Sequence, residues 1–154
     1  MRNKNLWIIL AVVVLIAAVF AAALLMKPTP GDITGGQITE ATADPAIETK
    51  AYLLVTVGGV TYQPLPLQGE GEFSLTQGES GMVNTVHVTP DSVWMAESTC
   101  DNQDCVDQGV VALDTMDDRV LGNMIICLPH QVTLELYTAE EMNALIASLE
   151  EAAP

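Results

Sequence analysis

Ala51 to Leu67 reads AYLLVTVGGVTYQPLPL, and how this stretch folds decides the fold of the chain. Two runs rich in aliphatic, β-branched and aromatic residues flank Gly58-Gly59. Two glycines accept the positive φ of a primed turn, so the stretch is expected to form an antiparallel hairpin. Pro64 and Pro66 cannot donate to a ladder, which ends the second strand there or sends it to a sheet edge. Further strands are expected at EFSLT (72–76), MVNTVHV (82–88) and VWMAE (93–97). The last two are joined by TPDS (89–92), where Pro90 presets φ for a turn and Asp91 and Ser92 suit its remainder. GVVAL (109–113), a turn-like DTMDD (114–118), NMIICL (123–128) and QVTLELY (131–137) come after it. In the last run Val132, Leu134 and Leu136 alternate with Thr133 and Glu135, the pattern of a strand with one wet face. Short strands at this spacing predict an all-β domain, a small sandwich or barrel, over residues 50–137.

Both ends of the chain change character. Thr138 and Glu141 form a capping box in TAEE, and Met142, Leu145, Ile146 and Leu149 mark one face of a helix within 138–154. Glu140, Glu150 and Glu151 disfavour a membrane surface, which attracts Lys and Arg, so this short amphipathic helix is expected to pack on its own sheet. At the other end Leu6 to Met26, LWIILAVVVLIAAVFAAALLM, carries no charge. As a helix at ~1.5 Å per residue it is roughly 31 Å long, matching a ~30 Å hydrocarbon core. Arg2 and Lys4 precede it and Lys27 comes directly after. The excess of basic residues before the run keeps residues 1–5 in the cytoplasm and exports the rest. Ala21-Ala22-Ala23 offers a signal-peptide cleavage site, but the apolar run continues past it and is longer than a signal core of ~7–15 residues. A transmembrane helix over 6–26 is therefore expected, and either reading exports the remainder of the chain. No cysteine comes directly after the run, which excludes a lipid-modified N-terminus. Residues 27–49, KPTPGDITGGQITEATADPAIET, lack an apolar period and read as a flexible stalk.

All 20 acidic residues of the 154-residue chain lie beyond Lys27, against the two bases Lys50 and Arg119, a net charge of −18 for the exported part. Such a surface repels phosphate backbones, so nucleic-acid binding is excluded there; cations and basic protein faces are compatible with it. The same charge also keeps an exported domain soluble.

VGGVTYQPLPL, CDNQDCVDQGVV and IICLPHQVTLEL together resemble the NusG domain II-like family of small membrane-anchored bacterial proteins. The resemblance rests on a hairpin, an aliphatic-Pro-Leu segment, Cys-x4-Cys-Val-x-x-Gly and a final aliphatic-Cys-Leu-Pro-His strand, covering about Ala51 to Tyr137. It implies a compact β-domain like the one inserted in the transcription factor that names the family. It implies no catalytic residues, and none of that factor's polymerase-binding or basic nucleic-acid modules is matched. The chain departs from the family at Asp101, where Pro is usual, and at Val110-Val111, where an aromatic-aliphatic pair is usual. DTMDDRV reads as an insertion and the helix after Thr138 as an extension. Some members are similar to accessory proteins of flavin-linked electron export.

Three cysteines, Cys100, Cys105 and Cys127, carry the candidate chemistry. Outside the membrane, thiols oxidise, and three allow one disulfide and one spare, with Cys100–Cys105 and Cys105–Cys127 the leading pairings. With His130 the same residues make a three-sulfur, one-imidazole zinc set, although Cys-x4-Cys is loose for zinc, and a Rieske-like cluster would need His where Asn102 stands. An active thiol pair is disfavoured because Asp101, Asp104 and Asp107 are expected to raise the thiol pKa. The acids of DNQDCVD and DTMDD lack the glycine and closing glutamate of a calcium loop. His87 and His130 join no catalytic constellation, and GEGE (69–72) is no phosphate loop. The expected function is a non-enzymatic binding or accessory module of an envelope complex, without a cofactor and with a protein partner. The alternative is a thiol- or metal-based redox accessory linked to flavin-dependent extracellular electron transfer.

Overall fold

The computed structural model describes residues 47–152, together with Val12, Val13 and Ile16, which are helical. Apart from those three, the expected 6–26 span lies outside the described residues, as does the stalk before Ile47. Among the described residues, no helix is long and apolar enough to cross a membrane.

The strands form two antiparallel sheets. In the first, β1 (Ala51–Val57) pairs along one edge with β2 (Val60–Thr61) and β3 (Leu65–Leu67). Its other edge pairs with β9 (Val132–Thr138), which in turn pairs with β8 (Met124–Cys127). The second sheet has the order β4 (Gly71–Gln77), β5 (Met82–Val88), β6 (Ser92–Ser98) and β7 (Val111–Ala112). Gly58 and Gly59 take φ of 57° and 80°, as the expected primed hairpin requires. The strand after them lies at the sheet edge and breaks at Tyr62–Pro64. Thr61 pairs with Thr56 but Leu65 pairs with Leu53, so the register slips by one residue across the proline.

Alternation builds one core from both sheets. Leu53, Val55 and Val57 of β1 and Val132, Leu134 and Leu136 of β9 join Phe73, Leu75, Val86, Val93 and Met95 of the second sheet in a single buried cluster. Each such side chain removed from water stabilises the fold by about 1.5–3 kcal/mol. One departure from alternation positions the site. Thr85 pairs with Glu97 but Val86 pairs with Met95, leaving Ala96 as an extra residue in β6. This bulge reverses the parity of the strand end. Ser98 therefore faces inward opposite Asn84, and Glu97 faces water. With no bulge the alternation of Val93 and Met95 would carry a carboxylate into the core.

Two helices complete the described fold, a single turn α1 (Asp104–Asp107) and α2 (Ala139–Ala152). The DTMDD segment forms a 3-10 turn over Met116–Asp118, with Met116 buried. The expected capping box starts α2. The Thr138 hydroxyl accepts from the Glu141 amide at 3.2 Å, and the Glu141 carboxylate accepts from the Thr138 amide at 2.9 Å. The expected docking of the whole apolar stripe does not occur. Met142 is buried and Leu145 half-buried, but Ile146 is 41% and Leu149 63% exposed. Only the first turns of α2 are packed; the later part of its apolar stripe faces solvent.

Leu134→Ala is expected to cost about 2–5 kcal/mol, read from urea unfolding of the full chain, because the site lies between packed strands with no room to collapse. Leu149→Ser should change stability by no more than about 0.5 kcal/mol in the same assay, since its side chain is already largely wet.

Candidate functional site

Cys100 lies just past β6, Cys105 on α1, and Cys127 at the end of β8. All three are buried, and their Sγ atoms lie within 4.8 Å of one another. Cys100 and Cys105 are free thiols with sulfurs 3.5 Å apart. The segment between them is a turn leading into α1. Gln103 enables this by adopting φ 53° and donating its side-chain amide to the carbonyls of Ser98, at 2.8 Å, and of Cys100. That left-handed turn aims Cys105 inward.

Gln108, at the end of α1, fixes the helix against the first sheet. Its carboxamide accepts from the Ile126 amide and donates to the Ile126 carbonyl, both at 2.8 Å. Ile126 is next to Cys127, so this pair of bonds sets the separation of the helical thiol from the strand thiol. Arg119, from the segment that reads as an insertion, donates to the carbonyls of Gln108 at 2.9 Å and Val110 at 2.7 Å. This segment therefore braces the cysteine segment from outside.

A buried polar chain ends at the sulfurs. Asn84 has no exposed surface. Its carbonyl oxygen accepts from His130 Nδ1 at 2.7 Å, which places a proton on that ring nitrogen. Its Nδ2 donates to Ser98 Oγ at 3.1 Å and to Met95 Sδ at 3.4 Å, and approaches Cys105 Sγ at 4.0 Å. The Ser98 oxygen also accepts from the Cys100 amide at 3.2 Å, leaving its own proton for Cys127 Sγ, 4.0 Å away. Among the described residues every buried side-chain nitrogen and oxygen has a partner. Burying a polar amide among aliphatic residues costs about 1–3 kcal/mol where it is left unpaired, so this chain holds together as a unit.

Of the four sequence candidates, the three cysteines come together directly, while His130 reaches them only through Asn84. His87 sits elsewhere. It stacks on Trp94 with ring centroids 4.1 Å apart and contacts Glu70 at 3.2 Å. The acids of DNQDCVD and DTMDD, Asp101, Asp104, Asp107, Asp114, Asp117 and Asp118, are exposed. They also do not set the thiol pKa values as expected. Burial pushes Cys105 up to about 12, whereas the Ser98 hydroxyl holds Cys100 below its ordinary value against the opposing effect of burial. Asn84 and Ser98 belong to no motif that the sequence displays. Asn84 shares the inward phase of Val86 and Val88, a polar residue in an apolar register, which is a readable signal. Ser98 is hidden by the bulge.

A cleft of about 250 Å³ opens onto two of the three thiols, lined by Cys105, Cys127, Gln108, Leu121, Leu128 and Pro129 among others. Leu128 and Leu121 are exposed on its wall, at 79% and 38%, and Val110 and Val120 are exposed nearby in sequence to its lining residues.

These features define a class: a small antiparallel two-sheet domain with a short C-terminal helix and a buried thiol cluster between α1 and β8. The family model for NusG domain II matches residues 8–140, and the chain belongs to that family. Three solved structures are similar to it. The Lin0431 protein from Listeria innocua is 22% identical, with a TM-score of 0.48 over 58% of this chain and 98% of that one. A DUF1312 family protein from Enterococcus faecalis is 16% identical, with a TM-score of 0.48 over 58% and 98%. A DUF1312 family protein from Ruminococcus gnavus is 27% identical, with a TM-score of 0.41 over 56% and 96%. No curated protein matches the chain.

Two outcomes are expected of the reduced chain. Alkylation and then peptide mass mapping should show Cys100 modified before Cys105, because the thiolate is the reactive form. Stability should also depend on alkaline pH. An unfolded Cys105 ionises near 9 and the folded one near 12, so the unfolded state binds fewer protons between those values. The stabilisation from the protonated thiol is complete below about pH 9 and is lost as pH rises through about 12. Urea midpoints stepped across that range should fall, and Cys105→Ala should flatten the fall.

Proposed function

We propose that the chain is a single-pass membrane protein, anchored by residues 6–26, that presents its β-domain outside the cell membrane on the 27–49 stalk. There it acts without catalysis, as a binding or accessory module of an envelope complex. The observation that carries this reading is the apolar wall of the cleft. Leu128 stands exposed beside Pro129, with Val110, Val120 and Leu121 exposed on the neighbouring segments, in a domain whose acidic charge otherwise favours solvation. Leu121 and Leu128 share the cleft wall, and exposed apolar groups gathered at one place on a polar surface mark contact sites. The surrounding Asp101, Asp104 and Asp107 suit a partner face that carries bases.

The thiol trio favours a second reading, a redox accessory. Cys105 is close enough to both other cysteines for bridges to exchange among them, and accessory proteins of flavin-linked electron export are similar to members of this family. A measured thiol reduction potential near that of the compartment would select this reading over the first.

Two measurements test the first reading. A reporter fused after Pro154 should be active only outside the cytosol, and activity confined to the interior would refute the export. A photo-crosslinking residue at Leu128 in intact cells should yield a discrete heavier adduct that the same residue at Asn143, on exposed α2, does not. Leu128→Asp should weaken capture of that partner by roughly tenfold or more, the loss of an apolar anchor at a contact centre.

A further inference from the structure

We propose that Cys100, Cys105 and Cys127 form a three-thiolate site for one thiophilic d10 metal ion, monovalent copper or divalent zinc. This goes beyond the partner role and does not depend on it.

The sulfur geometry comes first. An ion bonded to three thiolates at ~2.3 Å spaces the sulfurs about 4.0 Å apart in a planar arrangement and about 3.8 Å in a tetrahedral one. Here one pair is 3.5 Å apart and none exceeds 4.8 Å. Even with the other two separations at that limit, the point equidistant from all three lies about 2.6 Å from each sulfur. The three thiols thus need to close by only about 0.3 Å each to bind the ion. A disulfide needs ~2.05 Å, so Cys100 and Cys105 would have to close by about 1.5 Å and turn away from Cys127.

The surroundings suit bound thiolates. Three sulfur anions around one ion leave residual negative charge in the core, and two donors point at it. Asn84 Nδ2, whose hydrogens go to Ser98 and Met95, brings its positive end to 4.0 Å from Cys105 Sγ, and the Ser98 hydroxyl faces Cys127 Sγ at 4.0 Å. His130 orients the first donor and the Cys100 amide the second. Such outer contacts fix ligand orientation and tune the metal. A core that needed only packing would use an aliphatic residue at position 84. Sulfur ligands without a carboxylate select soft ions over magnesium or calcium. The cleft touching Cys105 and Cys127 supplies an entry path. Binding displaces the thiol protons to solvent and changes the oxidation state of neither sulfur nor metal.

The full chain, purified in detergent and reduced without oxygen, is titrated with Cu(I) against a competing chelator and, separately, with Zn(II). One ion per chain is expected, with a sulfur-to-metal absorption that saturates at one equivalent. X-ray absorption should show sulfur neighbours near 2.3 Å. Three sulfurs and nothing else would identify copper as the fitting ion, and three sulfurs plus one nitrogen or oxygen would identify zinc. Ser98→Ala should weaken the preferred ion by roughly 10- to 100-fold, as loss of an outer-shell donor does. Uptake below a tenth of an equivalent for both ions overturns the proposal. So does full uptake by Cys105→Ser with its cooperative unfolding intact. Should that variant not fold, the absence of sulfur neighbours in the unmodified chain overturns it instead.

Discussion

Asn84 is sealed from water between the two sheets, and the neighbourhood of the thiols is built around satisfying it. A carboxamide has one acceptor and two donor hydrogens to place. His130 takes the acceptor from the first sheet's terminal turn, and Ser98 and Met95 of the neighbouring strand receive the donors. Because His130 is itself tied to the other sheet, through its carbonyl accepting from Gln77 at 2.5 Å, the polar chain joins the two sheets at two points. Aliphatic packing would tolerate small slips between the layers. A hydrogen-bonded chain with no spare partner does not, so the relative position of the sheets, and with it the spacing of the sulfurs, is held.

The backbone feature behind this arrangement is a single residue. Ala96 is small enough to sit in a bulge, and its insertion exchanges which of Glu97 and Ser98 enters the core. The bulge thus settles two problems together. It keeps a charge in solvent and delivers a hydroxyl to the point where Asn84 and the Cys100 amide need an acceptor.

The range of the forces involved determines how much of this is legible in the sequence. Strands set by local alternation are readable: Val132, Leu134 and Leu136 repeat with period two, and Gly58-Gly59 carries its own turn chemistry. The Thr138–Glu141 cap is equally local. The three cysteines are recognisable as chemistry-bearing residues, but their meeting point is not, because it depends on α1 lying against β8 through Gln108. That contact joins residues 18 apart in sequence and leaves no periodic trace. The one-turn α1 is too short for a helical period and is held by Gln103 in a conformation more usual for glycine or asparagine. The apolar stripe of α2 misleads for a related reason. Periodicity reports that a helix has an apolar face, and it carries no information about whether the strands beneath extend far enough to cover it.

Gln108 also has a consequence for how the molecule meets others. β8 is the last strand of its sheet, and its outward main-chain groups at Ile126 are engaged by a side chain, while the Met124 amide bonds to Leu121 at 3.3 Å. A foreign chain seeking to extend this sheet would first have to expel the carboxamide that mimics its own backbone. Neighbouring molecules are thereby kept from templating one another along this edge.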